Sequence, residues 1–120
     1  MPFNYLLTNL LVDVPEAVGA VFVDDEGETV DFVTRHGEPF DLKVEGAYQG
    51  IFTRQLGSTI ASAGIGTLEF FTVEATELET LTHLLPDGYY VVLVARKPVA
   101  RARAQHHLRQ TAKMLARELE

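Results

Sequence analysis

Residues 39–61 read PFDLKVEGAYQGIFTRQLGSTIA, and their apolar pattern is too wide for a helix with a single partner. At 100° per residue, Phe40, Val44, Ala47, Tyr48, Ile51, Phe52, Leu56 and Ile60 spread over more than half of the circumference. A surface helix keeps a narrower stripe and turns the rest to water. The pattern predicts one long helix from Phe40 to Ala61, opened by Pro39. The remaining arc carries Gly46, Gly50, Thr53, Gly57 and Ala61 at steps of four, three, four and four. A glycine inside a helix costs about 1 kcal/mol against alanine, so three on one side imply close packing. Either the small row packs on the chain's own sheet, or the helix lies between its sheet and a second subunit or partner. The surplus apolar surface favours the second arrangement.

The segments on either side supply the sheet. Residues 3–14 place Phe3, Leu6, Leu7, Leu10, Leu11 and Val14 at helical spacing. Pro2 suits the start of that helix and Pro15 its end. Val18–Val23 reads as a buried strand, Asp24-Asp25-Glu26-Gly27 as a turn and Glu28–Thr34 as the return strand. In the return strand Val30, Phe32 and Thr34 are expected on one face, with Thr29, Asp31 and Val33 on the other. Arg35–Glu38 is a polar loop, and Gly64 marks the stop of the long helix.

Thr67–Val73 is rich in β-forming residues, with Phe71 and Val73 sharing one face. Thr76–Leu85 fits helical spacing at Leu78, Leu81 and Leu85, but Pro86-Asp87-Gly88 then leads directly into another strand. The shorter connection is a hairpin, so a strand is expected there. Tyr89–Ala95 is hydrophobic throughout and belongs at the centre of a sheet. Pro98 opens a last helix whose stripe is Ala100, Ala104, Leu108, Ala112, Leu115 and Leu119. The result is an α+β fold, helix–hairpin–helix–three strands–helix, with a five-stranded antiparallel sheet and helices on both faces. At 120 residues it forms one domain, 1–120.

Composition narrows the chemistry. The absence of cysteine removes a disulfide framework, a cysteine nucleophile and thiolate zinc sites. The longest apolar runs have seven residues, against about 20 for a membrane span. No Lys or Arg precedes Arg35, unlike a signal peptide, so a cytoplasmic location without membrane insertion is expected. The net charge is −7, yet seven of the ten basic residues lie from Arg96 onward, where only Glu118 and Glu120 oppose them. Such a basic helix is either a docking face or a solvated face over an acidic body. No aromatic residue interleaves the basic run, so nucleic acid is not an expected partner.

No constellation marks a catalytic centre, and neither a cofactor nor a metal is expected. His106 and His107 point about 100° apart and do not form an i, i+4 zinc pair. The row Asp24-Asp25-Glu26 lacks the spread of ligands of a calcium loop. Gly64-Ile65-Gly66 ends a helix instead of opening one, and no Lys-Ser/Thr follows, so it is not a phosphate loop. Ser58 and Ser62 have no nucleophile elbow around them. These features point to binding over catalysis.

Three stretches in order carry a resemblance. VPEAVGAVFVDDEGETVDF from Val14 is similar to the opening strand, Asp-Gly hairpin and return strand of the roadblock/dynein light chain family. The long helix with its small residues follows. LPDGYYVVLVARKPVARARAQHHL from Leu85 looks like the family's last strand and closing helix, although Lys97–Gln105 is more Arg/Ala-rich than its usual glycine-containing turn. The resemblance implies a roadblock/profilin-like fold. It also implies a homodimer, or a heterodimer with a sister roadblock chain, that pairs the third strands and long helices across a two-fold axis. The implied partner is a Ras-like small GTPase, as for bacterial relatives, with a non-catalytic scaffold as the alternative.

On that reading Gly46, Ala47, Gly50, Thr53, Gly57, Ala61, Phe71 and Val73 form the dimer or partner interface. Gly50→Arg is expected to abolish partner binding while leaving the fold largely intact, or, if the groove is buried wholly in the homodimer, to yield monomer or aggregate. Arg35, Arg54 and Arg96 are candidate arginines for a GTPase transition state. A PAS-like ligand sensor and a hot-dog-type thioesterase are rivals from other classes.

Overall fold

The chain adopts the element order expected from its sequence. The structure is a computed structural model that describes residues 3–35 and 42–120, with side chains of the long helix described at residue 46 and from residue 48 onward. The readings at Pro2, His36, Pro39 and Phe40, the loop after Arg35, and the side chains of Val44 and Ala47 lie outside the described residues. The helices are α1 (Asn4–Asp13), α2 (Leu42–Ala63) and α3 (Arg101–Glu118). The strands are β1 (Ala17–Val23), β2 (Thr29–Thr34), β3 (Phe70–Glu74), β4 (Leu78–Leu84) and β5 (Tyr90–Arg96). They form one sheet in the order β2-β1-β5-β4-β3, antiparallel throughout. The ambiguous segment is strand β4, joined to β5 by a single 3₁₀ turn at Pro86–Gly88. Among the described residues no helix is long and apolar enough to cross a membrane.

β5 lies in the middle of the sheet, and residues 90–95 are buried. One face carries α1 and α3. Leu6, Leu7, Leu10 and Leu11 of α1 and Ala104, Leu108, Ala112 and Leu115 of α3 close over Ala20, Phe22, Leu81, Val91 and Leu93. The Phe22 ring sits at the centre of this layer, 5.2 Å from Phe3 and 5.6 Å from Tyr89. The other face presents Val18, Val21, Val23, Tyr90, Val92 and Val94, with α2 packed across β1 and β2.

Two β-bulges set which residues reach which face. Between β1 and β5 the register steps from Ala17↔Ala95 to Gly19↔Val94, leaving Val18 as the extra residue. Val18 therefore joins Val21 and Val23 on the α2 face, where strict alternation would place it with Ala20 and Phe22. Between β1 and β2 the register steps from Phe22↔Asp31 to Val23↔Thr29, so Val30 is extra. Val30 packs with Val33 against the α1/α3 layer. The expectation that Val30 shares a face with Phe32 is corrected by this bulge.

The first turn of α3 is anchored from a distance. The Ala100 N–H donates to Glu16 Oε2 at 2.8 Å, and the Arg103 guanidinium donates to Glu16 Oε1 at 2.8 Å. A carboxylate here meets an unpaired helical N–H and the positive end of the helix dipole. The Ala100 amide, with Arg103 adding to it, holds the Glu16 carboxyl below its ordinary value of 4.5.

Two outcomes follow. Phe22→Ala empties the centre of the α1/α3 layer and should lower unfolding stability by about 3–5 kcal/mol, read from the urea midpoint. Glu16 has its pKa lowered on folding, so its contribution is complete above pH 4.5 and is lost as the pH falls through the folded value. Glu16→Gln should cost about 1 kcal/mol at neutral pH, and its difference from wild type should shrink as the pH falls below 4.5. A constant difference across that range would show that the carboxylate charge contributes nothing.

Candidate functional site

The small-residue row on α2 divides into two halves with different surroundings. At Gly46 an added Cβ would lie 3.1 Å from Val23 Cγ2 and 3.3 Å from Val21 Cγ1. At Gly50 it would lie 2.6 Å from the Tyr90 hydroxyl. That hydroxyl donates to the Gly46 carbonyl at 2.9 Å, and burial pushes the Tyr90 phenol above its ordinary pKa. These two glycines let α2 lie against its own sheet. They do not form an open groove, and an arginine at residue 50 would lift the helix off the sheet. The expectation that Gly50→Arg spares the fold is therefore corrected.

Gly57 follows Gly50 by seven residues and so points within about 20° of it. Yet a Cβ there would meet nothing within 4 Å among the described residues. The helix has parted from the sheet by this point. Before the two diverge, Gln49 is buried, within 3.3 Å of the Thr82 hydroxyl of β4. Thr53 turns its hydroxyl onto the Gln49 carbonyl at 2.8 Å, and Ala61 is exposed.

The divergence opens a groove of about 570 Å³ between α2 and β3, lined by Phe52, Gln55, Leu56, Thr59, Phe71, Thr72 and Val73. Phe71 and Val73 share the α2 face of the sheet, as expected, because they pair with Thr82 and Thr80. Around the groove the apolar surface continues outward: Tyr48 is 58% exposed, Ile51 44%, Phe52 40% and Val73 39%. β3 is an edge strand, as β2 is on the other side of the sheet, and among the described residues it pairs with β4 alone. An apolar groove beside an unpaired strand edge is an association surface.

The candidate arginines separate. Arg35 reaches back from the end of β2 to the C-terminal end of α1. Its Nε lies 2.6 Å from the Ala17 carbonyl, and its Nη2 lies 2.8 Å from that of Leu11 and 3.2 Å from that of Val14. It caps a helix whose last carbonyls need donors. Arg54 and Arg96 are exposed. Much of the basic segment is bound to the acidic body: Lys97 and Arg101 pair with Glu74, Arg101 with Glu79, and Arg103 with Glu16. The sequence contains no signal for these pairings, because the partners are 22 to 87 residues apart.

Among the described residues no group of three or more His, Asp or Glu is placed to hold a metal. The Asp24 carboxylate accepts the amides of Glu26 and Glu28, each at 2.9 Å, and so builds the β1–β2 turn. His107 lies 3.6 Å from Asp13, and its ring packs edge-on against His106.

Comparison with solved structures matches this arrangement over nearly the whole chain. MglB in a tetrameric arrangement superposes with a TM-score of 0.88 at 14% identity, covering 97% of this chain and 86% of that one. A roadblock/LC7 domain from Streptomyces avermitilis gives 0.74 at 18% identity, covering 96% and 95%. The fold is the roadblock/LC7 fold. MglC from Myxococcus xanthus has it as well, with a TM-score of 0.75 at 23% identity over 98% of this chain and 99% of its own. No family model and no curated protein matches the sequence. The likeness is thus one of fold.

The contact at Gly50 gives a test with a change of sign. Gly50→Ala gains about 1 kcal/mol of helix propensity but forces a methyl against the Tyr90 hydroxyl, and overpacking costs about 1–3 kcal/mol. The single variant should be destabilised. In a Tyr90→Phe background the nearest atom becomes the ring carbon at 3.6 Å, an ordinary contact. There the same alanine should stabilise. Equal effects in both backgrounds, measured by urea unfolding, would exclude the contact.

Proposed function

We propose that this chain is a roadblock-type regulator that self-associates through α2 and β3 and docks a Ras-like small GTPase without a catalytic centre of its own. The observation that carries the first part is the groove between α2 and β3, apolar, flanked by exposed Tyr48, Ile51 and Phe52, and bordered by the unpaired edge of the sheet. A second copy related by a two-fold axis meets both requirements at once, because its β3 extends the sheet and its α2 covers the apolar helix face. A standard interface removes about 800 Å² per partner from water. Gly57 adds support: its lack of a side chain serves no contact among the described residues, and a helix packed close against it explains why the residue is tolerated there.

The GTPase part rests on the sequence resemblance to bacterial roadblock regulators and on the structural likeness to MglB and MglC. The commitment of Arg35 to the end of α1 favours docking over donation of that arginine to the reaction. In such a mechanism the chain contributes by holding the switch loops of the GTPase, since phosphoryl transfer depends on positioning and charge stabilisation. A homodimer or a heterodimer with a sister chain, in the cytoplasm, completes the reading.

Gly57→Arg tests it, because the side chain enters open space in the monomer. The variant should keep the wild-type thermal midpoint of the diluted monomer and should sediment as a monomer where the wild type is a dimer. Affinity capture from the host's lysate with a GTP analogue or GDP, followed by single-turnover hydrolysis, tests the partner. A small GTPase held in one nucleotide state supports the regulator. Capture of another roadblock chain with no GTPase in either state supports the scaffold.

A further inference from the structure

The turn end of the β3–β4 hairpin contains an electrostatic conflict. Glu74 of β3 and Glu79 of β4 stand directly opposite each other in the strand register, an arrangement of like charges that destabilises a pair of strands. The Glu79 side chain is 1% exposed, so its charge cannot be left to water. One guanidinium resolves both problems. Arg101, the first residue of α3, places its Nε 2.7 Å from Glu79 Oε2 and its Nη2 on Glu74 Oε1. Lys97 completes the group by pairing with Glu74, and its Nζ lies 3.3 Å from the Ala75 carbonyl. The Lys97 hydrogen bond, with the charge of Arg101, holds the Glu74 carboxyl below its ordinary pKa.

The same network reaches the strand edge. Thr72 Oγ1 lies 3.0 Å from Glu79 Oε2 and 2.9 Å from the Thr80 carbonyl. Side chains alternate along a strand, so Thr72 and Glu74 face the α1/α3 side while Phe71 and Val73 face the groove. Fixing the first pair fixes the direction of the second. The backbone tie from Lys97 N–H to the Glu77 carbonyl, at 3.1 Å, anchors the hairpin end to the same segment.

We propose that Arg101, through Glu79, is a positioning residue that holds edge strand β3 in the geometry required for association with a second copy of this chain. This rests on the reading of β3 and α2 as the self-association surface. The clasp joins the start of α3 to the edge of the sheet, so the docking of that helix and the presentation of the edge are one event. Arg103, two residues on, is its natural control: it makes an ion pair of similar length, but with Glu16, which precedes β1.

The test compares Arg101→Met and Arg103→Met with the wild type by sedimentation equilibrium, together with hydrogen exchange of the amides of residues 70–74 in diluted monomer. Arg101→Met should weaken self-association by roughly tenfold or more, because it leaves a buried carboxylate unpaired, and should speed exchange in β3 while β1 and β5 stay protected. Arg103→Met should associate within about threefold of wild type, as befits a partly exposed pair. If Arg101→Met does not fold, the Glu79→Gln/Arg101→Met double variant removes both charges together and should fold but associate more weakly than the wild type, because the link from α3 to β3 is gone; wild-type association by it would overturn the clasp. Equal dissociation constants for the Arg101 and Arg103 variants, with the wild type dimeric, would overturn the clasp alone. A wild type that stays monomeric at every concentration would overturn the self-association reading and the clasp with it.

Discussion

The hydrogen bond from the Tyr90 hydroxyl to the Gly46 carbonyl sets how the two halves of this domain meet. It joins the central strand to the long helix across a dry valine surface, and it is possible only because residues 46 and 50 have no side chains. Val21 and Val23 fill the space that a β-carbon at residue 46 would need. The helix is thereby held close at one end of the sheet. Beyond Gly50 it parts from the strands, and the groove opens between it and β3. The groove at the sheet edge is the geometric outcome of that close contact at the other end.

The opposite face of the sheet is conventional by comparison. Its helices present leucine and alanine stripes to Phe22, Leu81 and Leu93, while Tyr5, Val12, Met114 and Leu119 are exposed. Charged residues there fasten the helix ends: Glu16 at the start of α3, Arg35 at the end of α1, Arg101 at the hairpin. One face of the domain is thus closed by internal pairing, while the other offers apolar surface to a partner. The asymmetry of the charge distribution along the chain becomes pairing in space.

Much of this was legible in the sequence, because it follows from local periodicity and turn chemistry. Leu6, Leu7, Leu10 and Leu11 announced α1, Gly27 and Gly64 take the positive φ values that end their elements, and Tyr90–Ala95 is the core strand that its unbroken hydrophobicity demands. The rest depended on register and distance. Nothing in AVGAVFV shows that Val18 is bulged, because an apolar run on a doubly buried strand reads the same in either register. The five small residues of α2 form one row on a helical wheel, which contains no information about where the sheet stops. Gly46 and Gly50 therefore looked like Gly57. Nothing near Glu79 in the sequence marks it as buried; its partner Arg101 lies 22 residues away.

The pairing of β1 with β5 has a consequence for how the chain folds as it is made. Val21 finds Val92, and Phe22 finds Val91, about seventy residues further along the chain. The central pair of the sheet is thus its least local one, and loop closure over such a span is slow. A ribosome must deliver most of the chain before β1 can be covered on its β5 side. Until then the seven-residue strand AVGAVFV is available to any other exposed strand. The β1–β2 hairpin, with Asp24 binding the amides of its turn, forms without waiting for the rest. It occupies one edge of β1 from early in synthesis, and so leaves only the other edge of this apolar strand open during the long interval before β5 emerges.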